Sequence, residues 1–351
     1  MKNLFLYYLK KRIPSLSIVA FLTLVIGIVV TVTTRVSFMS DYNQNKAYCM
    51  ESVVSASIVF LTVMMCIFAT IIPIYEFSFK MRKNSVDLFY SLPVKRYKLY
   101  LVKYLIGIIE LFVIFSVSFI YILIFNLIVS NSLGVSIDAV YFIPYYFSSL
   151  GLTILLFSWF SFVYTRGNTI FDGILYMVLS VFMVSIIVGA GNNIVNNFSS
   201  KHYYTNIYSY TPYSLFVVTV RNFSNYIKYP GFSTPIFNLA QFLVTIILSI
   251  AFLVLFFILN NLKKAEDTSD VSKEWYTYRL LIPLYIIGLC VITSSNTFGF
   301  NLFFLVIIGI SGYVGYVIFN RSFKIKINDL IALASAFTAG VILSILMNIS
   351  I

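Results

Sequence analysis

The sequence has few charged side chains and few of the side chains that build catalytic centres. Only 10% of its 351 residues are charged, and it contains one histidine, His202, and three cysteines. A single histidine excludes paired-histidine metal sites and Ser-His triads made from this chain alone. No G-x-x-x-x-G-K-[ST] phosphate loop occurs, and His, Asp and Glu do not cluster at chemical spacing. We therefore expect no catalytic site, no metal site and no directly bound cofactor.

Apolar residues, in contrast, are abundant. They make up 60% of the chain, and the mean hydropathy is +0.94. Soluble domains are about half apolar and about a quarter charged, so these values exclude a water-soluble fold. Runs of about 18 or more apolar residues, enough to cross roughly 30 Å of hydrocarbon as a helix, occur nine times. They cover residues 16–36, 53–75, 104–130, 141–164, 168–190, 236–259, 280–296, 300–319 and 328–350.

These runs predict an all-α, polytopic membrane protein with about nine transmembrane helices. A β-barrel is disfavoured because the runs lack the alternation of lipid-facing and lumen-facing residues. The seventh and eighth runs are short and are separated only by Asn296 to Gly299. A re-entrant helical pair is therefore an alternative to two full crossings at 280–319.

The positions of the basic residues predict the orientation. With the N-terminus in the cytoplasm, the inner segments hold 19 of the 24 lysines and arginines, in residues 2–12, 80–103, 166, 263–279 and 321–326. Short loops rich in Lys and Arg stay on the cytoplasmic side. This distribution accounts for the net charge of +12 without nucleic acid as a partner. Nine crossings would place the C-terminus outside.

Residues 1–14 form an apolar and basic segment before the first span. Pro14 is expected to break the helix there, so that this segment becomes an interfacial helix lying on the cytoplasmic surface. The alternative is a positive flank that only sets the topology.

The loop between the second and third spans has the most distinctive sequence. Asn84 or Ser85 can cap the start of a short helix, and the negative charge of Asp87 is favourable in its first turn. Pro93 is expected to end this helix. Phe89 and Tyr90 belong to an apolar set at helical spacing, flanked on both sides by basic residues. A soluble partner that buried this set would gain about 1.5 to 3 kcal/mol per large side chain.

This loop resembles the coupling helix of the permease subunits of bacterial ABC type-2 exporters. The resemblance rests on N-S-V-D-L-F-Y-S-L-P-V-K-R-Y-K-L-Y at 84–100, with its S-L-P-[V/I]-x-R-x-K-L core. It implies that the following residues contact a separately encoded ATPase subunit: Val86, Asp87, Leu88, Phe89, Tyr90, Ser91, Leu92, Pro93, Lys95 and Arg96. It also implies ATP and Mg²⁺ on that partner, a second identical or related permease chain, an amphipathic exported substrate, and the bacterial cytoplasmic membrane.

The resemblance also suggests a domain organisation. Residues 15–260 would form a six-span permease core with the coupling helix at 84–93 and an extracellular segment at 191–235. Within that segment, 212–220 is apolar enough for a short helix, and an amphipathic loop anchored by interfacial tyrosines is the alternative. Residues 261–279 would form a cytoplasmic linker, and 280–351 would add about three membrane helices that the six-span permease lacks.

Two carboxylates fall inside predicted spans. Glu110 lies several residues into the third span and Asp172 lies early in the fifth, where an unpaired charge is costly. They could belong to a substrate or proton path, as in a stand-alone secondary transporter or channel driven by an ion gradient. The alternative is that each carboxylate pairs with a neighbouring helix. Direct pairing of Glu110 with Lys103 is not expected, because seven residues separate them.

Overall fold

The computed structural model describes residues 2–39, 46–82, 91, 94–134, 140, 142–198, 211, 215, 217–219, 222, 239–262, 277–295 and 302–349. Within these ranges the long elements are nine α-helices. They are α1 (Lys2–Met39), α2 (Lys46–Phe77), α3 (Arg96–Leu133), α4 (Phe142–Tyr164), α5 (Ile170–Phe198), α6 (Leu239–Leu262), α7 (Tyr278–Ser295), α8 (Leu302–Asn320) and α9 (Ile327–Ile349). A short 3₁₀ helix, Ser78–Met81, follows α2.

Eight of these helices are long and apolar enough to cross a bilayer, so the chain is a polytopic helical membrane protein. The exception is α7, whose apolar part, Tyr278–Thr293, is shorter. A helix is present at each of the nine predicted places, but nine full crossings remain a prediction. Helix α5 runs eight residues further than the predicted fifth span, so the first part of the segment 191–235 is helical. Leu215 and residues 217–219 are also helical, which is the short-helix alternative for 212–220.

The predicted break at Pro14 is wrong. Helix α1 is continuous for 38 residues with Pro14 inside it. Proline removes one backbone donor, so only the Lys10 carbonyl loses its intrahelical hydrogen bond, and helices in lipid tolerate this loss. The interfacial segment and the first span are therefore one helix.

The chain divides into two compact units. Unit 1 comprises Met1–Ser78, Tyr90–Phe162 and Pro212–Lys263, and thus α1, α2, α3, α6 and most of α4. Helix α3 packs on α1, α2 and α6, and α1 also packs on α2. An aromatic core that includes Tyr104, Phe157 and Phe256 joins α3, α4 and α6, with ring centroids 5.2 to 5.7 Å apart around Tyr104. Consequently α3 is the central helix of unit 1.

Unit 2 comprises Phe79–Phe89, Val163–Thr211 and Lys264–Ile351, and thus α5, α7, α8 and α9. Helix α7 packs on α5, α8 and α9. Glycines on α8 allow it to pack closely on α7. A Cβ at Gly312 would lie 2.6 Å from Ile286 Cδ1, and one at Gly315 would lie 3.2 Å from Ile282 Cδ1. The short helix α7 is therefore the most enclosed element of unit 2.

Candidate functional site

Four ionisable side chains meet inside unit 1. Arg12 from α1, Glu76 from α2, and Lys103 and Glu110 from α3 form what we call the ion cluster. The Arg12 guanidinium donates to Glu76 Oε1, and Lys103 Nζ lies 3.0 Å from Glu76 Oε2. Arg12 Nε lies 3.6 Å from Glu110 Oε1. Because the start of α1, the end of α2 and the first half of α3 lie together, residues far apart in sequence form one network.

The ion cluster is buried and electrically balanced. Glu76 is 1% exposed, and Lys103 and Glu110 are 6% and 7% exposed. Two acids face two bases, as expected where isolated charges would be strongly unfavourable. The Arg12 guanidinium carbon lies 3.7 Å from the Tyr75 ring centroid, and Lys103 Nζ lies 4.4 Å from that of Tyr8, so aromatic faces also stabilise the cations. The cluster therefore joins α1, α2 and α3 without adding net charge.

A cavity lies beside the ion cluster. Its volume is about 250 Å³, and Glu110 is the only carboxylate among the described residues of its wall. The rest of the wall is contributed by side chains of the same three helices: Ser15, Leu16, Val19, Phe68, Ile71, Ile72, Tyr75 and Ile114. A mostly apolar cavity with one carboxylate is the usual composition of a small-molecule site, in which the apolar wall binds and the polar group orients.

Asp172 has a different environment in unit 2. Thr169 precedes α5 and its hydroxyl accepts a hydrogen bond from the Asp172 backbone amide at 3.1 Å, which caps the helix. The Asp172 carboxylate pairs with Arg321, in the turn after α8, at 3.1 Å. The Arg321 side chain is 47% exposed. Glu110 and Asp172 thus both have basic partners outside their own helices, and each belongs to a separate site.

Three cations that the sequence assigned to loops are buried. Lys80 and Arg166 are 6% and 3% exposed, and the Lys80 ammonium donates to the Thr165 carbonyl at 2.6 Å, just after α4 ends. A cation is favourable at a helix C-terminus, because the last carbonyls are unpaired and carry partial negative charge. The third, Lys103, lies within α3 and belongs to the ion cluster. All three were counted with the cytoplasmic segments, and their burial was not predicted from the sequence.

The predicted coupling segment is described only in part. Residues 83–90, 92 and 93, which include Val86 to Tyr90, Leu92 and Pro93, lie outside the described residues. Ser91, Lys95 and Arg96 are described and exposed. The Lys95 carbonyl accepts from the Lys98 amide at 2.9 Å, and α3 begins at Arg96. None of these three described residues belongs to the ion cluster.

The sequence analysis missed Arg12 and Glu76 as site residues. A signal for them existed, because the start of the first span, the end of the second and the start of the third must lie on one side of a membrane. Arg12, Glu76 and Lys103 occupy those three places. In the sequence each is one charge beside an apolar run, and the antiparallel order of the helices brings the three together.

Among the described ranges, no group of three or more His, Cys, Asp or Glu side chains could hold a metal ion. Comparison of the chain with protein-family models, with curated proteins and with solved structures gives no match.

Proposed function

We propose that the chain is the membrane-spanning permease subunit of an ATP-binding cassette exporter in the bacterial cytoplasmic membrane, with its N-terminus in the cytoplasm. It would move an amphipathic substrate, such as a peptide, lipid or drug, using ATP that a separate subunit hydrolyses. One observation carries the proposal. The loop with the coupling-helix sequence connects α2 to α3, and a buried ion pair between Glu76 and Lys103 joins these helices just beyond the loop.

This ion pair favours the transmission of movement. Glu76 lies one residue before the end of α2, and Lys103 lies two turns into α3. With Arg12 as a third partner, a displacement of the loop would move the ends of α1, α2 and α3 together. Helices α2 and α3 have 32 and 38 residues, which corresponds to roughly 48 and 57 Å, more than the hydrocarbon thickness. A tilt imposed at one end would therefore reach the other face of the membrane.

The partner would be an ATPase that binds ATP and Mg²⁺. Phe89 and Tyr90 would fill its cleft, and the exposed Ser91, Lys95 and Arg96 would lie at the rim of the contact. Closure of a paired ATPase would push the loop and shift the bundle between inward-open and outward-open states. A pathway of this kind also needs a second permease chain, identical or related.

The test is affinity purification of the tagged chain from native membranes, followed by identification of the soluble subunits that accompany it. We expect a nucleotide-binding subunit with a phosphate loop. Its recovery should fall at least tenfold in the double variant Phe89→Ala/Tyr90→Ala. The matched control is Phe323→Ala, which removes an aromatic side chain that is 85% exposed in another basic turn. Full recovery of an ATPase with the double variant would contradict the assignment of the contact.

A second candidate is a stand-alone transporter driven by an ion gradient. The observation that favours it is the position of Glu110 in the wall of a cavity inside unit 1. Vesicles that contain only the purified chain separate the two functions. Gradient-driven uptake without ATP or another subunit would support the second candidate, whereas the permease subunit alone should show none.

A further inference from the structure

The carboxylate of Glu110 has few interactions for a buried charge. Its side chain is 10% exposed, and among the described residues no side chain or amide donates a hydrogen bond to it. Its nearest cationic atom is Arg12 Nε at 3.6 Å, beyond the length of a good charge-assisted hydrogen bond. Buried carboxylates normally accept several hydrogen bonds. Glu110 therefore retains acceptor capacity at the wall of the cavity.

The two bases of the ion cluster are directed mainly at Glu76. Arg12 donates to one carboxylate oxygen of Glu76, and Lys103 lies 3.0 Å from the other. The Arg12 guanidinium is also stacked on Tyr75. Glu76 thus has two close cations, whereas Glu110 lies 3.6 Å from a shared Arg12 and experiences the Lys103 charge from further away. Glu110, and not Glu76, contributes to the cavity wall, so it is the carboxylate that a ligand in the cavity can reach.

The remainder of the cavity wall suits the body of an amphipathic molecule. Aromatic rings from Phe68 and Tyr75 and aliphatic side chains from all three helices form it. The Phe68 ring is favourable for a cationic ligand, because a ring face carries partial negative charge, whereas the Tyr75 ring is already stacked with Arg12. Ile71 and Tyr75 are 50% and 59% exposed, so two wall residues also lie at the protein surface. A ligand dissolved in the bilayer could thus enter from the side.

From this geometry we infer that the cavity between α1, α2 and α3 is a binding site for amphipathic amines. The ammonium group donates to Glu110, and the apolar body lies against Phe68, Tyr75 and the aliphatic wall. The donor can be the amine of a free alkylammonium compound or the headgroup amine of phosphatidylethanolamine, since the two share the same chemistry. The site belongs to this chain alone and does not depend on an ATPase partner.

The test measures binding of radiolabelled n-decylammonium to the purified full-length chain in nanodiscs of phosphatidylcholine, whose headgroup has no N–H donor. Glu110→Gln should weaken binding by roughly 10- to 100-fold, because a charge-assisted hydrogen bond is lost. The neutral probe n-decanol should bind the native chain weakly and should not respond to Glu110→Gln. Equal affinity of the two proteins for decylammonium would overturn the proposal.

A second variant keeps the test decisive if Glu110→Gln does not fold. Val19→Phe fills the cavity from α1 without touching the ion cluster, and should reduce decylammonium binding at least tenfold. Its matched control is Val29→Phe, on the same helix at a position that is 56% exposed and outside the cavity wall. Equal binding by these two variants would also overturn the proposal.

Nanodiscs that contain phosphatidylethanolamine distinguish the two sources of the amine. Competition by this lipid, absent in the Val19→Phe variant, would identify the headgroup amine as an occupant. Undiminished decylammonium binding in the same nanodiscs would assign the site to free amphipathic amines. Because no ATPase is present in this assay, failure of amine binding would leave the proposed permease function unaffected. Failure to recover an ATPase subunit would likewise leave the proposed amine site unaffected.

Discussion

The two units contain the same kind of interaction, an arginine paired with a carboxylate, in different surroundings. In unit 1, Glu76 is 1% exposed and shares its two oxygens between Arg12 and Lys103. In unit 2, Asp172 pairs with an arginine that is 47% exposed. Removal of one partner from a buried network leaves uncompensated charge, whereas exposed partners are screened by solvent. The number of ion pairs therefore predicts little about stability unless their burial is known.

The ion cluster and the Asp172–Arg321 pair also join different parts of the fold. The ion cluster joins three helices next to the loop between α2 and α3. The Asp172–Arg321 pair joins the capped start of α5 to the turn between α8 and α9. Under the proposed function the first would transmit a displacement of the loop, whereas the second holds a turn. Variants of the two sites should separate these contributions.

The largest effect is expected for Glu76→Ala. This substitution leaves Lys103 without its close carboxylate and removes the stronger partner of Arg12. The free energy of unfolding should fall by about 3–5 kcal/mol. Titration of the purified chain with sodium dodecyl sulfate in mixed micelles measures the change. A loss below about 1 kcal/mol, the range of exposed pairs, would mean that the cluster is hydrated and does not hold the helices.

A compensated variant sharpens this result. In Glu76→Met/Lys103→Met both charges of one pair are replaced together, so no new unpaired carboxylate or ammonium arises from that pair. Well-packed apolar replacements of buried pairs are often neutral. We expect the double variant to recover more than half of the stability lost in Glu76→Ala. Arg12 then retains Glu110 as its carboxylate partner in the cluster. Additive losses in the same titration would show that side-chain packing, and not charge, dominates this position.

The next effect concerns the turn before α5 in unit 2. A Cβ at Gly167 would lie 2.5 Å from the backbone nitrogen of Gly173, and backbone cannot move aside as a side chain can. Gly167→Ala should therefore destabilise unit 2 by about 1–3 kcal/mol. The matched control is Gly191→Ala in α5, where no atom lies within 4 Å of the added Cβ. Since alanine favours helix over glycine, the control should be neutral or slightly stabilising under the same detergent titration.

The smallest effect is expected for Asp172→Asn. The partner Arg321 is about half exposed, and asparagine keeps most of the side-chain volume. The change in unfolding free energy should be about 0.2–1 kcal/mol and should shrink at high salt. Titrations at low and high salt check both points. A loss as large as that of Glu76→Ala would contradict the distinction between the two sites.

The sequence predicted helix positions well where hydrophobicity alone decides them. The fourth run was expected at 141–164, and α4 spans Phe142–Tyr164. Prediction failed at Pro14, because local propensity favours a break while the surrounding contacts keep α1 continuous. Burial of Lys80 and Lys103 was not predicted from the sequence, which placed both in a cytoplasmic segment. Their burial depends on an unpaired helix end and on carboxylates elsewhere in the chain, which a single segment does not reveal.

The candidate site was predictable only in part. Glu110 was recognised because a carboxylate inside an apolar run is costly. Its surroundings, Arg12 from α1 and a cavity between three helices, follow from tertiary packing. Phe89 and Tyr90 remain predictions from the motif, since they lie outside the described residues. The exposed Ser91 next to them gives a position from which that motif can be probed.

The most direct test of the permease assignment is photo-cross-linking from this position. Benzoylphenylalanine placed at Ser91 is illuminated in native membranes, and the cross-linked product is identified by mass spectrometry. Val140, which is 63% exposed before α4, serves as the control position. The account predicts a cross-link from position 91, absent from position 140, to a subunit that contains a phosphate loop. A cross-link from position 91 only to this chain's own helices would contradict it.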